Sequence, residues 1–179
     1  MVVAGCKINM PSAPSASPQS RAGSAGTLYE VHDPSQVTGS VPASCHALAG
    51  PEPDPSCTPG AIDPAVTQAD IATTICHSGY TATVRPPESE TSRLKSELYK
   101  AYGITAGTVS ELDHLVPLEL GGANDVKNLW PEVGSLPNPK DKVESALNDA
   151  VCSGKVPLAS AQKAIAANWQ TAEQVLGVS

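Results

Sequence analysis

The 179-residue chain has no phenylalanine, and aromatic residues make up only 3% of it. A core has to be built from Leu, Ile, Val, Ala and two Trp, which suits one modest globular domain rather than several. Positive charge is scarce as well: 11 Lys and Arg stand against 18 Asp and Glu, a formal net charge of −7. Such a field repels polyanions, so any contact with nucleic acid has to come from a local patch, not from overall charge. No apolar run is long enough to span a bilayer. The paired Cys-x-x-Cys spacing of a structural zinc site is missing too.

Proline is abundant, with 17 residues. Residues 7–44 are rich in Pro, Ser, Ala and Gly and carry little apolar surface to offset their ordering entropy, so 1–44 reads as a disordered linker or tether and 45–179 as the globular domain. A short Tyr29-Glu30-Val31-His32 piece can order locally, with His32 as a solvated side chain. Cys6 closes Val3-Ala4-Gly5-Cys6, which resembles a bacterial lipobox, where the cysteine is lipidated and becomes the mature N-terminus. On that reading the basic and apolar parts of the signal peptide lie upstream of Met1. The remaining cysteines, Cys45, Cys57, Cys76 and Cys152, are even in number, as in exported domains with disulfides. Cys45-His46 and Cys76-His77 look superficially like zinc ligands, but disulfides are preferred. Four cysteines pair in three ways, and Cys45–Cys57 with Cys76–Cys152 is the pairing favoured here.

Thr67 suits the start of a short helix through Cys76, with Val66, Ile71 and Ile75 on one face and Gly79 ending it. Tyr80–Pro87 reads as extended from its Thr and Val content and its prolines. A helix opens at Thr91 or Ser92, carries Leu94, Leu98 and Ala101 inward, and stops at Gly103. With Arg85, its Arg93, Lys95 and Lys100 make the most basic local region. Asn138-Pro139-Lys140-Asp141 is a helix start, followed by Val143, Ala146, Leu147, Ala150 and Val151 at helical spacing and closed by Gly154. A last helix begins near Ala159 or Ser160 with Ala161, Ala164, Ile165 and Trp169 as its buried stripe.

Between these helices lies the most informative stretch, Glu111-Leu112-Asp113-His114-Leu115-Val116-Pro117-Leu118-Glu119-Leu120-Gly121-Gly122, closing at Asn128-Leu129-Trp130-Pro131. It reads as strand, loop, strand and then the capped helix, with a core over 108–153. This register of Asp-His, Pro117, Gly121-Gly122 and Asn128-Leu129 resembles the HNH nuclease family, whose core is the ββα-metal, or His-Me, finger. It also resembles small exported bacterial HNH-like proteins. These carry a similar Cys-His-Ser-Gly-Tyr…Val-Arg-Pro segment before the finger and an Ala-Gln…Asn-Trp helix after it, a likeness covering roughly residues 57–170.

The resemblance implies an α+β fold, a ββα finger packed with several helices, and a metal-dependent phosphodiesterase acting on DNA or RNA with little sequence preference. It makes His114 the general base and Asn128 the brace that orients it, both counted as catalytic. Asp113 is the first ligand of Mg²⁺ or a similar divalent cation, and Asn138 is either a second ligand or only a helix cap. Substrate contacts fall to Arg85, Lys127, Lys140 and Lys142, with the first turn of the closing helix facing the phosphate. Glu111 and Glu119 near the site repel a polyanion. The rival reading is a non-catalytic exported surface lipoprotein that uses the scaffold to bind a partner or metal. Contact with a membrane then comes only through Cys6. Neither reading fixes the oligomeric state.

Overall fold

The computed structural model describes residues 28–32, 36–46 and 51–178. Cys6 and most of the expected tether lie outside the described residues. Among the described residues the protein is a mixed α+β fold of five helices and two two-stranded sheets. In chain order these are β1 (Tyr29–Glu30), β2 (Ala61–Ile62), α1 (Tyr80–Val84), α2 (Glu88–Ala101), β3 (Ser110–His114), β4 (Leu129–Val133), α3 (Lys140–Cys152), α4 (Leu158–Ala167) and α5 (Trp169–Leu176).

β3 and β4 pair antiparallel, with Glu111 opposite Glu132, Asp113 opposite Trp130 and His114 opposite Leu129. Side chains alternate along a strand, so Asp113 and His114 point to opposite faces of this ribbon. α2 packs beside β4 through Leu94 and Leu98, in a cluster that includes Leu115, Leu129, Trp130 and Tyr102. On the other side α3, α4 and α5 form a helical core of Leu147, Val151, Ala161, Ile165 and Trp169 around Val116 and Leu120. Each such buried aliphatic side chain contributes about 1.5–3 kcal/mol relative to exposure. The loop after β3 therefore has anchors in both clusters, Leu115 in one and Val116 in the other.

Several sequence expectations change here. The stretch 28–44 was assigned to the tether, but its described residues dock on the domain. β1 pairs parallel with β2, and Thr38 exchanges backbone bonds with the loop, donating to Asn124 O at 2.9 Å and accepting from Val126 N at 3.0 Å. Backbone pairing holds this segment, and a composition argument that counts only apolar side chains does not see it. Residues 67–76 form successive turns, not a helix. The Thr67 hydroxyl donates to Asp70 Oδ2 at 2.6 Å, and the Thr73 and Thr74 hydroxyls donate to Asp70 O. These local bonds compete with a helical ladder. Conversely Tyr80–Val84, expected to be extended, is a one-turn helix opened by Gly79 at φ 84° and ended at Arg85 by the following proline. α2 starts at Glu88, earlier than expected, with Glu88 and Glu90 in the first turn where the helix dipole favours them. The last helix is broken at Asn168, whose extended backbone separates α4 from α5 and whose Oδ1 accepts from Thr171 N at 3.1 Å.

Candidate functional site

The site is built around the loop from Leu115 to Asn128. Pro117 opens a 3-10 turn at Leu118–Leu120, which Gly121 closes at φ 72°. Gly122 N then returns to Pro117 O at 2.9 Å. A Cβ at Gly122 would lie 1.7 Å from Val116 O, so only glycine fits there. Asn128 is fully buried and spends its whole amide on backbone. Its Nδ2 donates to Val116 O and Ala123 O, and its Oδ1 accepts from Val116 N and Ala61 N. Asn128 braces the loop across its mouth and touches nothing else polar among these partners.

His114 ends β3 and is 8% exposed. Its Nε2 lies 2.8 Å from Asn124 Oδ1, while Asn124 Nδ2 donates to the Val84 carbonyl at 2.7 Å. A carbonyl only accepts, so the orientation of the Asn124 amide is fixed and its oxygen must accept from His114. The imidazole is therefore the Nε2–H tautomer, with Nδ1 as its basic nitrogen. Burial pushes its pKa down to about 4, and the positive charges of Arg85 and Lys140 add to that, against the opposing pull of Asn124 and Asp113. At neutral pH the ring is uncharged and Nδ1 carries no proton. Sequence reasoning missed Asn124, because a polar residue four positions before Asn128 in a loop reads as ordinary turn chemistry.

His114 lines a cleft of about 490 Å³ with Arg85, Pro86, Glu88, Thr91, Ser92, Lys95, Glu111, Leu112 and Leu129. Arg85 is exposed at the end of α1 and Lys95 comes from α2, so two of the expected basic residues share the cleft with His114. Lys95 also donates to Ser110 O at 2.6 Å. Lys127 is elsewhere, its ammonium 3.6 Å from the centre of the Tyr29 ring. Lys142 is exposed on α3 and does not line the cleft.

Lys140 overturns its own expectation. It was to face substrate phosphate, yet it is 0% exposed. Its Nζ donates to Asp113 Oδ2 at 2.7 Å, to the His114 carbonyl at 2.7 Å, and to Glu144 on the next turn of α3. The carboxylates raise its pKa against burial, so the ammonium stays charged. Glu132, 2% exposed, is pushed up by burial and by Asp113, to which it is hydrogen-bonded. Burial also raises Glu144 against the lowering effect of Lys140. Asn138 does not cap α3 with its side chain. Its Nδ2 donates to Glu111 instead.

This donor set does not fit a divalent cation as it stands. Asp113 is engaged by an ammonium and by Glu132, Asn138 by Glu111, and no group of three or more His, Cys, Asp or Glu among the described residues converges on one point. The two sides of the ribbon thus hold different chemistry: a neutral imidazole beside a guanidinium on one, a buried ammonium among carboxyl groups on the other.

Two disulfides frame the site. Cys45–Cys57 staples the segment before β2. Cys76–Cys152 ties the turns before α1 to the end of α3. No helix among the described residues is long and apolar enough to cross a membrane. No family model, curated protein or solved structure matches the chain.

Proposed function

We propose that β3, the braced loop, β4 and α3 form a ββα finger of the HNH type, and that it hydrolyses phosphodiester bonds in DNA or RNA with little sequence preference. The observation that carries this reading is His114: a neutral imidazole, held as one tautomer by Asn124, in the same cleft wall as Arg85. Water entering the cleft gives its proton to Nδ1 while its oxygen attacks phosphorus, and the 3′ oxygen leaves and is protonated by solvent. Arg85 binds two non-bridging phosphate oxygens and offsets the charge that develops on them. Asn128 keeps the loop, and so the end of β3, in place. Asp113, the first ligand expected for Mg²⁺ or a similar ion, is held by Lys140 instead. The test is cleavage of plasmid DNA and of a structured RNA by the purified protein, with strand breaks in either supporting the reading.

The same ammonium favours a second reading, a non-catalytic exported protein that keeps the scaffold. Two disulfides are compatible with export, to the cell surface through a lipid on Cys6 or to the medium. A folded protein that binds oligonucleotide without breaking it, or ignores it, would support that alternative.

A further inference from the structure

Asp113 and Glu144 hold one cation that belongs to the chain itself, Lys140, and Glu132 is hydrogen-bonded to Asp113 beside it. We infer that the Lys140 ammonium is the resident cation of this site, occupying the place beside Asp113 where an HNH-like finger would hold a divalent ion. The geometry gives three reasons. An ammonium has three donors, and all three are used: on Asp113 Oδ2, on the His114 carbonyl and on Glu144. The side chain reaches this point from the first residue of α3, held in place by the fully buried stem. The remaining oxygen of Glu132 is buried without a hydrogen-bond partner, so no other donor of the described residues reaches it.

Lys140 is thus a positioning residue. By holding the His114 carbonyl and the neighbouring Asp113 at once, it ties the end of β3 to α3 and sets where the imidazole emerges on the opposite face. It acts through His114 and does not touch substrate. This assignment holds whether or not the finger turns over, so it stands or falls separately from the phosphodiesterase reading.

The test is ion rescue. For the wild-type protein, Mn²⁺ or Mg²⁺ should leave the Tm unchanged, and paramagnetic resonance of added Mn²⁺ should show no bound ion that depends on Asp113. Lys140→Ala opens room next to Asp113 and Glu144 and leaves them without a counter-charge. Its Tm should fall, and saturating Mn²⁺ should restore several degrees of it, as binding to the folded state alone requires. The restoration should vanish in Lys140→Ala/Asp113→Asn. A purely structural lysine would lose stability with no recovery by ion, and that result would overturn the assignment. So would a wild-type protein that binds Mn²⁺ and loses it on Asp113→Asn. The wild-type resonance measurement decides the matter even where Lys140→Ala does not fold.

Discussion

Lys140 Nζ lies 2.7 Å from Asp113 Oδ2 and the same distance from the backbone carbonyl of His114, so one ammonium on α3 grips two successive residues of β3. Asp113 and His114 are adjacent in sequence but serve opposite faces of the ribbon. The lysine side holds the strand, and the cleft side is left to the imidazole and Arg85.

Removing that grip should be costly. Lys140→Met leaves the partly buried carboxyl groups of Asp113 and Glu144 without their counter-charge, and breaking one half of a fully buried pair typically costs about 3–5 kcal/mol, an upper bound here. Denaturant unfolding of Lys140→Met should show a loss within that bound. Adding Asp113→Asn should recover part of it, because the two residues form one network. Strict additivity of the two losses would contradict the pairing.

The His114 imidazole should make stability depend on pH. Its folded pKa is near 4 against an ordinary value of 6.5, so between these pH values the unfolded chain binds the extra proton. Its contribution is present above pH 6.5 and is lost as pH falls toward 4, by on the order of 3 kcal/mol at most. His114→Gln keeps a donor for Asn124 but does not titrate. The stability difference between wild type and this variant should therefore shift in favour of the variant on acidification through that window. A pH-independent difference would mean that the imidazole is not held neutral.

The disulfides should differ in weight. Cys76–Cys152 closes a loop of 76 residues and Cys45–Cys57 one of 12. In the chain-entropy model the longer loop is worth about 4 kcal/mol and the shorter about 3. Replacing Cys76 and Cys152 by Ala should lower the midpoint of unfolding more than replacing Cys45 and Cys57. Thiol titration of the unreduced, denatured protein should find none of these four cysteines free.

Arg85 should govern anion binding at the cleft. Arg85→Ala should weaken binding of a short oligonucleotide by roughly tenfold or more, the scale of a lost charged hydrogen bond. Arg85→Lys should recover only part, since an ammonium cannot grip two oxygens in a plane. Binding should weaken as salt rises, with a shallow slope set by few phosphate contacts, and the slope should flatten further in Arg85→Ala. Lys127→Ala should leave it unchanged, because Lys127 lies over Tyr29 and away from the cleft.

Some of this geometry was legible in the chain because it is written in short-range spacing. The two strands, the glycine-bearing turn between them and the following helix rest on apolar alternation, Gly121-Gly122 and the Pro139 start, and these appear where the pattern puts them. The favoured disulfide pairing, one of three open to four cysteines, is the one that forms. Lys140 was misread because its position in the first turn of α3 says where its backbone lies, not which way a long side chain turns. Asp113, Glu144 and the His114 carbonyl drew it inward. Asn138 was read as a cap or ligand, and Glu111, from another element, claimed its amide. Residues 67–84 were inverted because threonine favours both strands and local side-chain turns, and only the tertiary setting decides between them. Asn124 could not be found at all, since its role is defined by His114 and Val84, which lie 10 and 40 residues away.

The most direct test of the proposed activity is the ratio of phosphodiester cleavage rates between wild type and His114→Gln at pH 7, on DNA and on RNA, with both proteins shown to be folded. Wild type should cleave, and the variant should be slower by about a hundredfold or more, the loss expected when a general base is removed. Equal rates in the two proteins, or a folded wild type that cleaves neither polymer, would contradict this reading.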